Sequence, residues 1–343
     1  MYKVSVVIPI YNVEKFIVRC AESLFKQTLD DIQFVFVDDA SPDKSVQLLE
    51  QTLEHFPQRK PHTIILHHPQ NMGLPAARAT GLAHVTAYYV AHCDSDDYVE
   101  PTMYAKLYEC AVQNDSDMVI CGVKVHRVDG SNYSVVDKPP LRGSCVYGFL
   151  HGHLSAFVWT RLTRTDIYRK VQFPQKDFFE DGVQAVQLLA YSSKITFINE
   201  CLYHYVWNPL SISKNLSRDM IAEKMHQYIT NYYVMHDFVV NRYNFKEREF
   251  AFRKEVIRQY FLPLIYRKQY LQLFPELNFY LLFYWKFPWR YKVSHILILL
   301  GLYPIVRTTY RSIKKFMIDI RLKSVTPSLS PISTGLSISR KHV

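Results

Sequence analysis

The sequence predicts an α/β fold: an open, largely parallel sheet flanked by helices, with a helical extension behind it. Three observations predict it. Apolar runs of strand length alternate with stretches of helical periodicity through the first third of the chain. The runs are apolar at nearly every position, as in strands buried on both faces of a parallel sheet. Polar residues close each run at the same end, and in such sheets ligands bind at the carboxyl ends of the strands.

The elements follow in order. Val4-Ser5-Val6-Val7-Ile8-Pro9-Ile10 is the first strand, closed by Tyr11-Asn12. Val13, Phe16, Ile17, Cys20, Leu24 and Phe25 then recur at helical spacing. Ile32 to Val37 is the second strand, ending on Asp38-Asp39. Ser41-Pro42-Asp43 reads as a helix start, with Ser41 as N-cap and Pro42 in the first turn. Thr63 to Leu66 is the third strand, and Asn71-Met72-Gly73-Leu74-Pro75 leads into a helix carrying Ala76, Ala77, Arg78 and Gly81. Ala87 to Ala91 is the fourth strand and runs into Asp94-Ser95-Asp96-Asp97; Met118-Val119-Ile120 is the fifth.

Composition narrows the function classes. At 343 residues and 48% hydrophobic, the chain is long enough for one large domain plus an appendage. Its six cysteines show no C-x-x-C spacing, which argues against a zinc module or disulfide frame and fits a reducing cytosol. Met1-Tyr2-Lys3 leads straight into a strand, so no signal peptide is expected. The net charge of +10 calls for an anionic partner. There is no G-x-G and no G-K-[ST], so neither a dinucleotide fingerprint nor a Walker loop is present. A phosphate must then be held by a metal and by Arg or Lys.

The D-x-D stretch suits that chemistry. Carboxylates at one strand end repel unless a cation lies between them, and Mg²⁺ takes one or two carboxylates plus substrate phosphates. Asp94 and Asp96 therefore read as a half-site that a phosphorylated ligand completes. The bland alternative is a solvated acidic turn. A phosphatase using D-x-D as nucleophile and acid would want the motif on the first strand, not the fourth.

Four segments together resemble a family 2 glycosyltransferase of the GT-A fold, which is Rossmann-like: Pro9-Ile10-Tyr11-Asn12, Val37-Asp38-Asp39-Ala40-Ser41-Pro42-Asp43, Asn71-Met72-Gly73-Leu74-Pro75-Ala76-Ala77-Arg78 and Asp94-Ser95-Asp96-Asp97. The resemblance is firm over residues 3 to 125 and looser to about 215. It is of the bacterial surface-polysaccharide type. It implies a nucleotide-sugar donor, most often a UDP-sugar, with Pro9 and Tyr11 along the uracil and ribose and Asp39 accepting from the base. Asn71 and Arg78 would reach the nucleotide or diphosphate, with Ser95 also on the donor side. Asp94 and Asp96 would hold the ribose and a Mg²⁺ or Mn²⁺ ion. It further implies inversion at the anomeric carbon, with Asp181 as general base and Glu180 orienting or contacting the sugar acceptor, from Glu180-Asp181 before an amphipathic helix. Pro75 and Ala79 depart from the family pattern. So does Val206 in Tyr203-His204-Tyr205-Val206-Trp207-Asn208-Pro209-Leu210-Ser211, where Arg is common. Trp207 and Ser211 could line the site. His204 reads either as a metal ligand or, more simply, as a buried structural histidine.

Beyond residue 215 the pattern is helical and aromatic. Met225, Tyr228, Ile229, Tyr232 and Tyr233 fall at the spacing of one packed face. No RNA-binding signature accompanies them, so nucleic acid is not an expected partner. Residues 281–306 are the apolar high point, too short for a spanning helix but suited to an interfacial one, and Arg307, Arg311, Lys314, Lys315, Arg321 and Lys323 follow. The alternative there is a helix packed within the protein. The expectation is therefore a catalytic domain over 1–215, a helical membrane-associating or acceptor-binding region over 216–324 and a disordered tail over 325–343. The enzyme would be cytoplasmic, peripheral at the inner face of the cell membrane, acting on a glycan or lipid-linked acceptor in surface polysaccharide synthesis. The non-enzymatic rival is a degenerate transferase serving as scaffold.

Overall fold

A computed structural model describes residues 1–141, 143–208, 218–243, 271, 277–283, 289–302 and 305. Ser211, the basic residues from 307 to 323 and the tail from 325 lie outside the described residues. Two compact units are present, Met1–Phe261 and Leu262–Val343.

The first unit is built on a mixed sheet in the order β3-β2-β1-β4-β8-β6-β9-β5, with β7 paired to β6. β1 (Val4–Ile10), β2 (Ile32–Asp38), β3 (Thr63–His67) and β4 (Tyr89–His92) are parallel neighbours. Every residue of β1 and β2 is buried, as their unbroken apolar runs require. Short β5 (Tyr98–Val99) follows, then β6 (Met118–His126) and β7 (Asn132–Val135). β8 (Arg161–Arg164) joins antiparallel between β4 and β6, and the long β9 (Ile195–Val206) lies parallel to β6. β5 pairs antiparallel with β9, and β7 antiparallel with β6. The parallel half is the one the sequence announces; β7 and β8 carry no apolar run.

Helices α1 (Ile17–Phe25), α2 (Ser45–Glu54), α3 (Leu74–Ala83) and α4 (Met103–Gln113) connect the strands through residue 118. α2 starts later than Ser41-Pro42 suggests. Ser41 Oγ instead accepts from Asn12 N, and Asp43 Oδ1 accepts from Ser45 N at 3.0 Å, so the carboxylate, not Ser41, serves the helix start. Pro75 sits in the first turn of α3, where its missing N–H costs nothing. Short α5 (Cys145–Leu150) and α6 (Thr165–Tyr168) precede α7 (Glu180–Tyr191) and the 26-residue α8 (Arg218–Tyr243).

α8 packs on α7 with Tyr228, Asn231, Tyr232, Met235 and Val239 buried. Tyr233, expected on the packed face, is exposed: it stands about 100° around the helix from Tyr232. In the second unit, α9 (Leu277–Phe283) and α10 (Trp289–Leu299) pack together, and His295 Nε2 lies 2.7 Å from Asn278 O.

Candidate active site

The carboxyl ends of β1, β2 and β4 form one rim. Asp39 N donates to Ile10 O at 3.0 Å, which ties the ends of β1 and β2. Asn12 (φ 54°) and Ala40 (φ 56°) turn the backbone there through the left-handed region. Asp39 is buried, and its carboxylate accepts from Met72 N and Gly73 N, both at 2.8 Å, with His68 Nδ1 2.7 Å away. These bonds fix the loop before α3. Asp177 holds the other side of that loop by accepting from Leu74 N at 3.1 Å. Gly73 is needed between them: its φ is +90°, and a Cβ would stand 2.5 Å from Asp177 Oδ1.

The centre of the site is Arg78, which projects from α3 and is 0% exposed. Its Nη2 donates to Asp94 Oδ1 at 2.8 Å, and its Nη1 donates to Asp181 Oδ1 at 2.6 Å and to Glu180 Oε1. One planar fork thus joins the end of β4 to the start of α7. A cation so buried is unfavourable alone, but the three carboxylates outweigh the desolvation and hold its pKa well above the usual guanidinium value.

The carboxylates divide by environment. Burial pushes Asp94 up to about 6 despite Arg78, with Asp181 and Asp96 adding repulsion. Burial also raises Asp96, against the hydrogen bond from Asn208. Glu180 is 2% exposed and is raised well above the carboxylate range by desolvation, which Arg78 only partly offsets; its Oε2 accepts from Gln184. Asp181 goes the other way. Desolvation opposes its ionisation, but Arg78 prevails and holds its pKa below the ordinary value.

Arg78 lies beneath the rim, with its fork engaged by three carboxylates. Glu180 is buried, with Arg78 on one carboxylate oxygen and Gln184 on the other. Pro9 is buried within β1 and Ser95 within its turn. Tyr11, at 48% exposure, and Asn71 are open on the rim. Trp207 is partly exposed, next to Asn208, whose Nδ2 donates to Asp96 Oδ2 at 3.0 Å.

His204 is buried. It stacks on Tyr98 at 4.3 Å, and its ring nitrogens lie 2.7 Å from Glu100 Oε1 and 2.9 Å from His126 Nε2. Asp97 is also buried: it accepts from Tyr203 Oη at 2.8 Å and from Val206 N at 2.7 Å. Asp177 and Asn208 carry no warning in the sequence. Asp177 meets Leu74 across 103 positions, a contact no local pattern reports.

Among the described residues no group of three or more His, Cys, Asp or Glu side chains could hold a metal alone. Asp94 and Asp96 nevertheless fit a hard divalent ion whose remaining ligands come from phosphate and water. Each has one oxygen engaged, by Arg78 or by Asn208, and burial makes both carboxylates costly to ionise without a cation.

Comparisons with known proteins give the family and the fold. Residues 5–186, just over half of the chain, match the family described as Glycosyl transferase family 2. The chain belongs to that family. It is 31% identical over 225 residues to "Uncharacterized glycosyltransferase EpsJ" of Bacillus subtilis, an alignment covering 62% of this chain and 63% of that one. It is 29% identical over 223 residues to "Uncharacterized glycosyltransferase YibD" of Escherichia coli, covering 62% and 63%. The chain therefore spans less than two thirds of the length of these relatives. Among solved structures, S. aureus TarS 1–349 in complex with UDP-GlcNAc superposes with a TM-score of 0.60 at 16% identity, covering 90% of this chain and 92% of that one. The fold of this family 2 glycosyltransferase is GT-A.

Proposed function

We propose that the chain transfers a hexosyl or N-acetylhexosaminyl residue from a UDP-sugar to a hydroxyl of a glycan or lipid-linked acceptor in surface polysaccharide synthesis, with inversion. The observation that carries this reading is the Arg78 fork, which unites Asp94 on the donor side with Asp181 on the opposite side. Among solved structures of this fold, TarS is seen with UDP-GlcNAc and a Pyrobaculum calidifontis mannosyltransferase with GDP-Man and Mn²⁺.

Tyr11, Asn71 and the Asp39-held loop bind the nucleotide in this reading. Asp94 and Asp96 hold Mg²⁺ or Mn²⁺, which when bound offsets negative charge on the departing diphosphate. Asp181 stays ionised because Arg78 favours its anion. The acceptor oxygen attacks the anomeric carbon from the face opposite the diphosphate. The new C–O bond forms as the bond to the phosphate oxygen breaks, and UDP leaves with that electron pair. A carboxylate of low pKa is a weak base, so Asp181 takes the hydroxyl proton as the attacking oxygen gains positive charge.

The test is UDP release by the purified full chain across a panel of UDP-sugars, with Mn²⁺, with Mg²⁺ and with chelator. Metal-dependent release with one sugar is expected. Absence of both turnover and UDP binding with every metal would favour the scaffold reading.

We also infer that the second unit rests on an anionic membrane surface. No described helix is long and apolar enough to cross a membrane. Along α10 and just past it, Trp289, Val293, Ile296 and Leu300 point outward at helical spacing, while Asn278 and His295 are buried. Apolar groups outside and polar groups inside suit an interfacial helix, and the basic residues after 306 suit anionic headgroups. Flotation with phosphatidylglycerol vesicles should capture the chain, and Ile296→Asp should release it. Equal recovery of both proteins would remove the membrane from the reading.

A further inference from the structure

The segment Lys176–Phe179 joins the two halves of the site. Asp177 holds the loop before α3, and Glu180-Asp181 begin α7. The segment is held by α8, which lies beyond the family match at residue 186. Asn231, 1% exposed, donates through Nδ2 to Lys176 O at 2.7 Å and to Phe178 O at 2.9 Å. Gln227 Oε1 accepts from Phe178 N at 3.2 Å. Tyr228 stacks on Phe179 with ring centroids 4.4 Å apart and planes 21° from parallel.

What α8 holds is a strained turn. Phe179 has φ +69°, the left-handed region that a bulky side chain avoids. Its ring occupies the space a Cβ on Gly182 would need, 2.2 Å away. Such a conformation persists only when its surroundings fix it. α8 supplies two donated hydrogen bonds, one accepted hydrogen bond and a ring stack to Lys176, Phe178 and Phe179 of the turn.

We propose that α8 is a latch that sets the position of Asp181, with Asn231 as the positioning residue and Gln227 and Tyr228 as its supports. The inference rests on the role proposed above for Asp181. It assigns catalytic work to a helix that resembles plain packing in the sequence.

The test uses the full chain with Asn231→Ala, Gln227→Leu and Gln227→Glu. Hydrogen exchange should accelerate about tenfold or more at residues 176–182 in the first two, and stay unchanged at 89–97. kcat should fall about tenfold or more, since small misplacement of a reacting group is costly, while the donor KM changes less than about twofold. Gln227→Glu keeps an acceptor oxygen for Phe178 N and should retain most of kcat. Gln227→Leu carries the test if Asn231→Ala does not fold. Unchanged exchange at 176–182, or a kcat loss no larger than the unfolded fraction, would overturn the latch. Faster exchange at 176–182 supports it even if wild-type protein turns over no donor, a result that counts instead against the proposed function.

Discussion

Arg78 and Asp181 are 103 positions apart, yet Nη1 of the one lies 2.6 Å from Oδ1 of the other, and Nη2 of the same fork lies 2.8 Å from Asp94. This contact makes the ends of β4 and α7 a single electrostatic unit. Removing the guanidinium leaves buried carboxylates without a counter-charge. Arg78→Ala should lower stability by about 3–5 kcal/mol in urea unfolding. Arg78→Lys keeps the charge but not the fork, and should fold with kcat reduced about 100-fold or more.

Asp181→Asn removes the proton acceptor and keeps the shape. Loss of a general base costs about 10²–10⁴ in rate, so kcat should fall by that order while UDP affinity, read by calorimetry, stays within about twofold. Full turnover would move the base elsewhere.

The pH dependence follows from Asp94. Its pKa is about 6 in the folded chain against 3.8 for a free side chain. A carboxyl raised on folding stabilises fully below its unfolded value, and that contribution is lost as pH rises through the folded one. The metal-free protein should lose this part of its stability between pH 4 and 6. A cation held by ionised Asp94 and Asp96 reverses the trend, so Mn²⁺ should raise Tm more at pH 7.5 than at pH 5. An equal shift at both would place the ion on other ligands.

Gly73→Ala forces a side chain into a left-handed position and against Asp177. The loop must move, and UDP affinity should drop about tenfold or more while far-ultraviolet circular dichroism is retained. Unchanged affinity would show that this loop does not touch the nucleotide.

The sequence announces the first four strands because each is apolar at nearly every position. It does not announce β8: Arg161-Leu162-Thr163-Arg164 has a single apolar residue, yet Arg161 and Thr163 are buried. Asp94 and Asp96 are legible as candidate carboxylates from their place after a strand, and Asp181 from the family resemblance. The direction of Arg78 is not, because its partners lie 16, 102 and 103 residues along the chain. Glu180 stands beside Asp181 in sequence, but its neighbouring position on α7 turns it inward. Nothing local in the sequence reports that the His204 ring meets Glu100 and His126.

Titrating UDP into the full chain, with Mn²⁺ and with chelator, for wild type and Asp96→Asn, tests the central claim most directly. The account predicts binding to wild type that needs the ion and is lost in Asp96→Asn. Equal affinity in all four titrations would contradict a donor diphosphate held through Asp94 and Asp96.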